Sequence, residues 1–388
     1  MAPELNPPPN TVLARHRPLA PTASVRVSPL VLGAMNFGDK MKDKLGECDK
    51  EAAFSIMDYY YSQGGNFIDT ANNYQLGQSE EWVGEWLASR NNRDDIVLAT
   101  KYSSAYMLHE KRKLQANYGG NSIKSMKHSL ELSLKKLQTT YIDLFYLHWW
   151  DYSTSIPEVM HALNDLVVSG KVHYLGVSDT PAWVVSKANQ YARSSGLRQF
   201  VVYQGNWNAA QRDFERDIIP MCMSEGMGLC PWGVLNAGRF QTEQGFIQRE
   251  SGHPGRRNKV TDHDRKVSKA LEKVATAKNA SILDVALAYV RYKAPFVVPL
   301  VGGRTVKHIE GNINGLGLEL TANALRGIDA AYDFDPGFPH TFLSGTSLSG
   351  EPPKGAYSPG EVWLTALMGN FEWAEAAKIP RDSLNDCI

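Results

Sequence analysis

Short apolar and β-branched runs alternate with amphipathic stretches of helical period along most of this sequence, and that alternation is its strongest constraint on fold. Strands are predicted at Leu30–Ala34, Asn66–Asp69, Ile96–Thr100, Ile142–Leu147, Tyr174–Val177, Phe200–Tyr203, Gly228–Cys230 and Phe296–Val301. Helical periodicity occupies 50–63, 79–89, 121–138, 155–169, 181–195, 211–225 and 281–293. Several of these carry start signals: Ser79 precedes Glu80 and Glu81, Asn121-Ser122 precede an apolar stripe, and Ser281 with Asp284 resembles a capping box. Strands that alternate with helices run parallel, so the class is α/β. Eight strands favour a closed (β/α)8 TIM barrel over the open doubly wound sheet, which shares the alternation.

At about 150 residues per domain, 388 residues could make two or three domains, but barrels often exceed 250 residues as one unit. The expected organisation is a proline-rich N-terminal arm over 1–22, a barrel over 23–334 and a C-terminal extension over 335–388 with a helix at 359–377. A long polar loop, 234–262, follows the seventh strand. A hydrophobic share of 43% excludes a disordered chain. Lys+Arg and Asp+Glu both number 41, without the basic excess of nucleic-acid or membrane-surface proteins. The four cysteines, Cys48, Cys222, Cys230 and Cys387, form no Cys-x-x-Cys pair, so neither a disulfide scaffold nor a metal site is expected. No apolar run approaches the ~20 residues of a membrane span, and MAPELNPPPN lacks the apolar segment of a secretory signal, so a cytoplasmic location is expected.

The chemistry collects at the ends of predicted strands. Phe67-Ile68-Asp69 ends with a carboxylate, with Tyr74 in the loop beyond; Leu98-Ala99-Thr100-Lys101 ends with an ammonium; Leu144-Phe145-Tyr146-Leu147-His148 ends with an imidazole. In a barrel these neighbouring strand ends face one pocket. Aspartate then compensates a buried lysine, and the lysine lowers the pKa of the tyrosine from its usual ~10. A phenol tuned in this way is a general acid for a developing alkoxide, and histidine can orient the same oxygen. The four groups together can protonate a carbonyl oxygen while hydride reaches its carbon.

The order FIDTA…Y, LATK, LFYLH, GVSD, YQ and VGGRTV resembles the aldo-keto reductases over roughly residues 25–333. HWWD, GVSDTPAW and the long C-terminal extension are similar to the fungal aryl-alcohol dehydrogenase and norsolorinic acid reductase-like subgroup. The resemblance implies a single barrel that uses a nicotinamide cofactor, NADPH/NADP+, with Asp69, Tyr74, Lys101 and His148 as its catalytic tetrad. It further implies that Ser178 and Gln204 hold the nicotinamide carboxamide. Asp179 stands where the family usually has Asn, and a carboxylate cannot donate to the carboxamide oxygen. Leu229-Cys230-Pro231-Trp232 replaces the pattern that stacks an aromatic ring on the nicotinamide.

For the adenosine end, Gly302-Gly303-Arg304-Thr305 opens a helix after the last strand, and the N–H groups of a helix N-terminus suit phosphate. Arg304 with Lys307 or His308 is the candidate clamp for a 2′-phosphate, Asn312 matches an adenine contact, and Arg239 on the long loop is a candidate for the pyrophosphate. Trp149, Trp150, Tyr102 and Trp232 are candidate walls of a pocket for a small aromatic carbonyl or alcohol. Two other readings compete: a lyase forming a Schiff base on Lys101, and a cofactor-binding regulatory barrel that senses redox state with little turnover.

Overall fold

A computed structural model of the chain describes residues 8–111, 113–250 and 259–369. Two strands, β1 (Arg17–Ala20) and β2 (Ala23–Val27), form an antiparallel hairpin. Eight more build one parallel sheet: β3 (Val31–Gly33), β4 (Phe67–Asp69), β5 (Val97–Tyr102), β6 (Ile142–Leu147), β7 (Val172–Ser178), β8 (Phe200–Asn206), β9 (Gly228–Trp232) and β10 (Leu300–Val301). Their order, β10-β3-β4-β5-β6-β7-β8-β9, follows the chain and returns β10 beside β3. Between β9 and β10 the ring is drawn together at Leu229, which accepts from Val298 N at 2.8 Å and donates to Phe296 O at 3.0 Å. The architecture is a nearly closed (β/α)8 barrel, not an open sheet with two free edges.

Flanking helices include α1 (Lys50–Ser62), α2 (Gln78–Arg90), α3 (Ile123–Lys136), α4 (Ile156–Val168), α5 (Ala182–Ser194) and α6 (Ile218–Glu225). They continue with α7 (Glu243–Glu250), α8 (Asp262–Lys278), α9 (Ile282–Lys293), α10 (Val306–Asn314) and α11 (Ala322–Asp329). Local chemistry places many of their starts: Asp49, Ser122, Ser155 and Thr321 each accept a first-turn N–H, and Thr261/Asp264 and Ser281/Asp284 form complete capping boxes.

Two apolar layers follow from the period of two along each strand. Phe67, Val97, Ala99, Leu144, Tyr146, Val202 and Cys230 point into the barrel. Ile68, Leu98, Tyr102, Phe145, Leu147, Leu175 and Val177 point out under the helices. Leu19, Ala20, Ala23 and Val27 of the hairpin join the inner layer and stop the N-terminal end of the barrel. A Cβ on Gly228, the first residue of β9, would lie 2.4 Å from the Leu19 carbonyl, so only glycine admits the plug there.

Several expectations need correction. Arg17–Ala20 is not extended arm but half of the plug, because Leu19 and Ala20 find an apolar surface to bury. The last strand shrinks from 296–301 to Leu300–Val301, since Phe296 takes φ +53 and Pro299 has no N–H for a ladder. The helix expected over 211–225 begins at Ile218, after a turn and a 3-10 segment at Asp213–Glu215. Within 234–262 the chain forms α7, while 251–258 lie outside the described residues. The helix α8 was absent from the predicted set.

The chain divides into two compact units, Met1–Tyr332 and Asp333–Ile388. In the second, the helix expected at 359–377 is a 3-10 turn at Pro359–Glu361 followed by the four-residue helix Trp363–Ala366. Residues 370–377 of that prediction lie outside the described residues.

Candidate active site

The inward phase of each strand carries on past its apolar residues into polar ones. Phe67 leads to Asp69, Ala99 to Lys101, Tyr146 to His148, Gly176 to Ser178 and Val202 to Gln204. Parallel register sets these side by side at the C-terminal rim, with Asp69 opposite Ala99, Lys101 opposite Tyr146 and Ser178 opposite Gln204.

Lys101 Nζ makes an ion pair with Asp69 Oδ1 and donates to Thr70 O at 2.8 Å, while Gln204 Nε2 donates to Asp69 Oδ2 at 3.0 Å. Lys101 and Asp69 are 0% and 2% exposed, so their charges must be answered by protein groups. Burial disfavours the Lys101 ammonium, but Asp69 and Tyr74 outweigh it and hold its pKa above the ordinary lysine value. An amine held protonated is a poor nucleophile, which argues against the Schiff-base reading.

Tyr74 is half-buried, and Lys101 Nζ lies 5.0 Å from the centroid of its ring. Burial raises the phenol pKa and Asp69 adds to the rise, while Lys101 pulls it down; the net direction is upward. This corrects the expectation of a lowered pKa, because the sequence showed the lysine but not the degree of enclosure. The turn after Tyr74 is strained: Gln75 and Leu76 take φ +52 and +58, each costing on the order of 1–3 kcal/mol. Gln75 secures that turn by accepting from Met41 N at 2.7 Å and donating to Met35 O at 3.3 Å.

The His148 and Tyr74 rings meet edge to face, with centroids 5.9 Å apart. Burial and the charge on Lys101 push the imidazole down to about 3, so it is neutral at physiological pH. His148 Nδ1 lies 3.3 Å from Ser104 Oγ, and Trp149 Nε1 donates to that oxygen at 3.1 Å. Ser104 escaped the sequence reading, having no motif of its own.

Asp179, immediately after Ser178, takes φ +40, a conformation that Asp tolerates better than most residues. It is exposed by area yet crowded by protein. That desolvation raises its carboxyl to about 6, while Trp232 and Lys101 pull the other way. Trp232 hydrogen-bonds Asp179 and Trp149 hydrogen-bonds Ser104, so both stand at this rim. The other two candidate wall residues do not. Tyr102 is fully buried and stacks on Phe145 in the helix-facing layer, because it is one residue out of phase with Lys101. Trp150 packs against the same layer, beside Leu147, Ile156 and Phe200.

Around the last βα loop, Gly302, Gly303 and Arg304 lead into α10, whose N-cap Thr305 makes no side-chain capping bond. Arg304 N donates to His308 Nδ1 at 3.2 Å, and the Arg304 guanidinium lies where a Cβ on Gly46 would stand. His308 is held below the ordinary histidine pKa by burial, Arg304 and Lys307. Asn312 is buried on the inner side of α10. Arg239 is tied to Asn236 Oδ1 and lies 3.6 Å from Asp264, so the start of the loop after β9 is anchored to the start of α8. Among the described residues no group of His, Cys, Asp or Glu could hold a metal ion. Nor is any described helix long and apolar enough to cross a membrane.

The aldo/keto reductase family model matches residues 29–333. Norsolorinic acid reductase B of Dothistroma septosporum is 66% identical, covering 95% of this chain and 94% of the relative. Norsolorinic acid reductase B of Aspergillus parasiticus is 62% identical, covering 95% and 97%. Aryl-alcohol dehydrogenase [NADP(+)] of Phanerodontia chrysosporium is 51% identical, covering 86% and 90%.

Proposed function

The chain belongs to the aldo/keto reductase family and is an oxidoreductase, and from that premise we propose that it reversibly reduces aryl aldehydes or aromatic ketones to alcohols with NADPH. The observation that carries this reading is the convergence of Tyr74, Lys101, Asp69 and His148 on one rim of the barrel. The names of the relatives support aromatic substrates, and one of them supports NADP+.

The residues present fit a dinucleotide phosphate. Ser178, Asp179 and Gln204 supply hydroxyl, carboxyl and amide groups at the rim, as a carboxamide requires. The uncapped first turn of α10, with Arg304, Lys307 and His308 beside it, suits phosphate, and Asn312 is a candidate adenine contact. Arg239 remains a candidate for the pyrophosphate. Bound along this rim, a reduced nicotinamide supplies hydride to the carbonyl carbon.

The chain's own part is proton transfer and orientation. The phenol of Tyr74 gives its proton to the carbonyl oxygen, and the Lys101 ammonium stabilises the phenolate left behind. Asp69 and Thr70 O fix Lys101 where that charge develops. Neutral His148 donates an N–H to the same oxygen, since a neutral ring can donate through one nitrogen. Trp149 and Trp232 flank the site with flat apolar surface. No described helix is a membrane span, and the cytoplasm is the compartment we propose.

The test is reduction of a panel of aromatic aldehydes and ketones with NADPH and with NADH. NADPH-dependent turnover is expected. Tight NADPH binding with no turnover would favour the regulatory barrel instead.

A further inference from the structure

The end of β5 is bent in a particular way. After Lys101 faces in and Tyr102 faces out, Ser103 takes φ +89, a conformation that a serine adopts only where its surroundings impose it. Ser103 is fully buried, and its Oγ accepts from Asn121 Nδ2 at 2.8 Å and from His148 N at 3.2 Å. Asn121 also donates to Trp149 O at 3.0 Å and exchanges hydrogen bonds with Asp151, accepting from its N–H at 2.8 Å. The ends of β5 and β6 are thereby clamped, and Ser104 is set between His148 Nδ1 and Trp149 Nε1.

The chemistry of these three groups favours one distribution of protons. An indole N–H can only donate, so Ser104 Oγ accepts from Trp149. Among the described residues the Ser104 hydroxyl has no acceptor other than His148 Nδ1, so its proton makes a hydrogen bond within the protein only when directed there. A nitrogen that accepts carries no hydrogen. The neutral imidazole then bears its single N–H on Nε2, which has no hydrogen-bond partner among the described residues.

We propose that Ser104 is a positioning residue that, itself oriented by the indole N–H of Trp149, holds His148 as the Nε2–H tautomer and so keeps its one donor available to the substrate oxygen. This rests on the reductase reading above. The other tautomer would present a lone pair to that oxygen and repel it. Because burial and Lys101 keep the ring neutral, protonation cannot supply a second donor, and the tautomer alone decides. Trp149 thus contributes a directed hydrogen bond as well as apolar surface.

The experiment uses the full chain with nitrogen-15-labelled histidine at neutral pH. The wild type is expected to show His148 unprotonated at Nδ1 and protonated at Nε2. Ser104→Ala should give a mixture of tautomers and lower kcat for an aromatic aldehyde about tenfold, the effect of releasing one hydrogen bond of ordinary strength, with NADPH Kd unchanged. Trp149→Phe should mix the tautomers in the same direction. Ser104→Thr keeps the hydroxyl and should restore both spectrum and kcat. A wild-type ring protonated on Nδ1 overturns the proposal, as does an unchanged tautomer in the Ser104→Ala protein whatever its kcat. If the wild type shows the stated spectrum but reduces no carbonyl, the reductase reading fails and the relay stands.

Discussion

Asp69→Asn removes one charge from a fully buried pair and changes little else in shape. The amide in its place can still accept one hydrogen bond, but it turns an NH2 group towards one of two donors, Lys101 Nζ or Gln204 Nε2. Lys101, 0% exposed, would then be a buried cation answered by Thr70 O and the rings of Tyr74 and Tyr146, with no carboxylate beside it. Leaving a buried charge unpaired costs about 3–5 kcal/mol. The cost should depend on pH, and its sign follows from linkage. In the wild type the Lys101 pKa stands above the ordinary 10.5, against burial, because Asp69 and Tyr74 favour the charged form. Its stabilisation is complete below 10.5 and lost as pH rises through the folded value. Without the carboxylate, burial pulls the ammonium below its unfolded value. The unfolded chain then binds more protons, and stability rises with pH. Urea unfolding at about pH 7 and about pH 9.5 should therefore show the deficit of the variant narrowing at the higher pH. Adding Lys101→Met should recover part of the loss, since a neutral pair carries no uncompensated charge. An equal deficit at both pH values, or none at neutral pH, would show that the substitution does not leave Lys101 an uncompensated buried cation.

Other predictions follow from the rim. Arg304→Ala should weaken NADPH binding roughly tenfold or more while leaving NADH binding nearly unchanged, as expected of a charge-assisted contact with a 2′-phosphate; fluorescence titration with both cofactors reads it. Asp179 has its pKa raised to about 6 by desolvation, so the folded state holds a proton that the unfolded state releases near 4. This group therefore makes the wild type lose stability as pH rises across that window, and Asp179→Asn should remove its share of the slope of Tm against pH.

The barrel was legible because both of its periodicities are local properties of the chain. Apolar runs of strand length and stripes of helical spacing need no tertiary information, and the polar residues ending those runs, Asp69, Lys101, His148, Ser178 and Gln204, fall together once the strands are parallel. What was hidden depends on phase and enclosure. Tyr102 and Trp150 read as pocket walls because they adjoin Lys101 and His148 in sequence, yet one step along a strand reverses the face. The rise in the Tyr74 pKa depends on how closely the protein surrounds the phenol, and the plug at Arg17–Ala20 on a barrel end that exists only when closed. Helix α8 carries a capping box at Thr261 and Asp264 that the sequence displayed, but the polar run before it masked the start. Ser104 becomes visible only when the ends of β5 and β6 are placed beside each other.

In the proposed reduction Tyr74 gives the proton to the carbonyl oxygen and does little for cofactor binding. The most direct measurement is single-turnover oxidation of bound NADPH by an aromatic aldehyde in the wild type and in Tyr74→Phe, with NADPH Kd determined for both. A fall of about 100-fold or more in the rate of the chemical step, the usual weight of a positioned general acid, is expected at nearly equal Kd. A chemical step of wild-type speed, or a loss confined to NADPH binding, would contradict it.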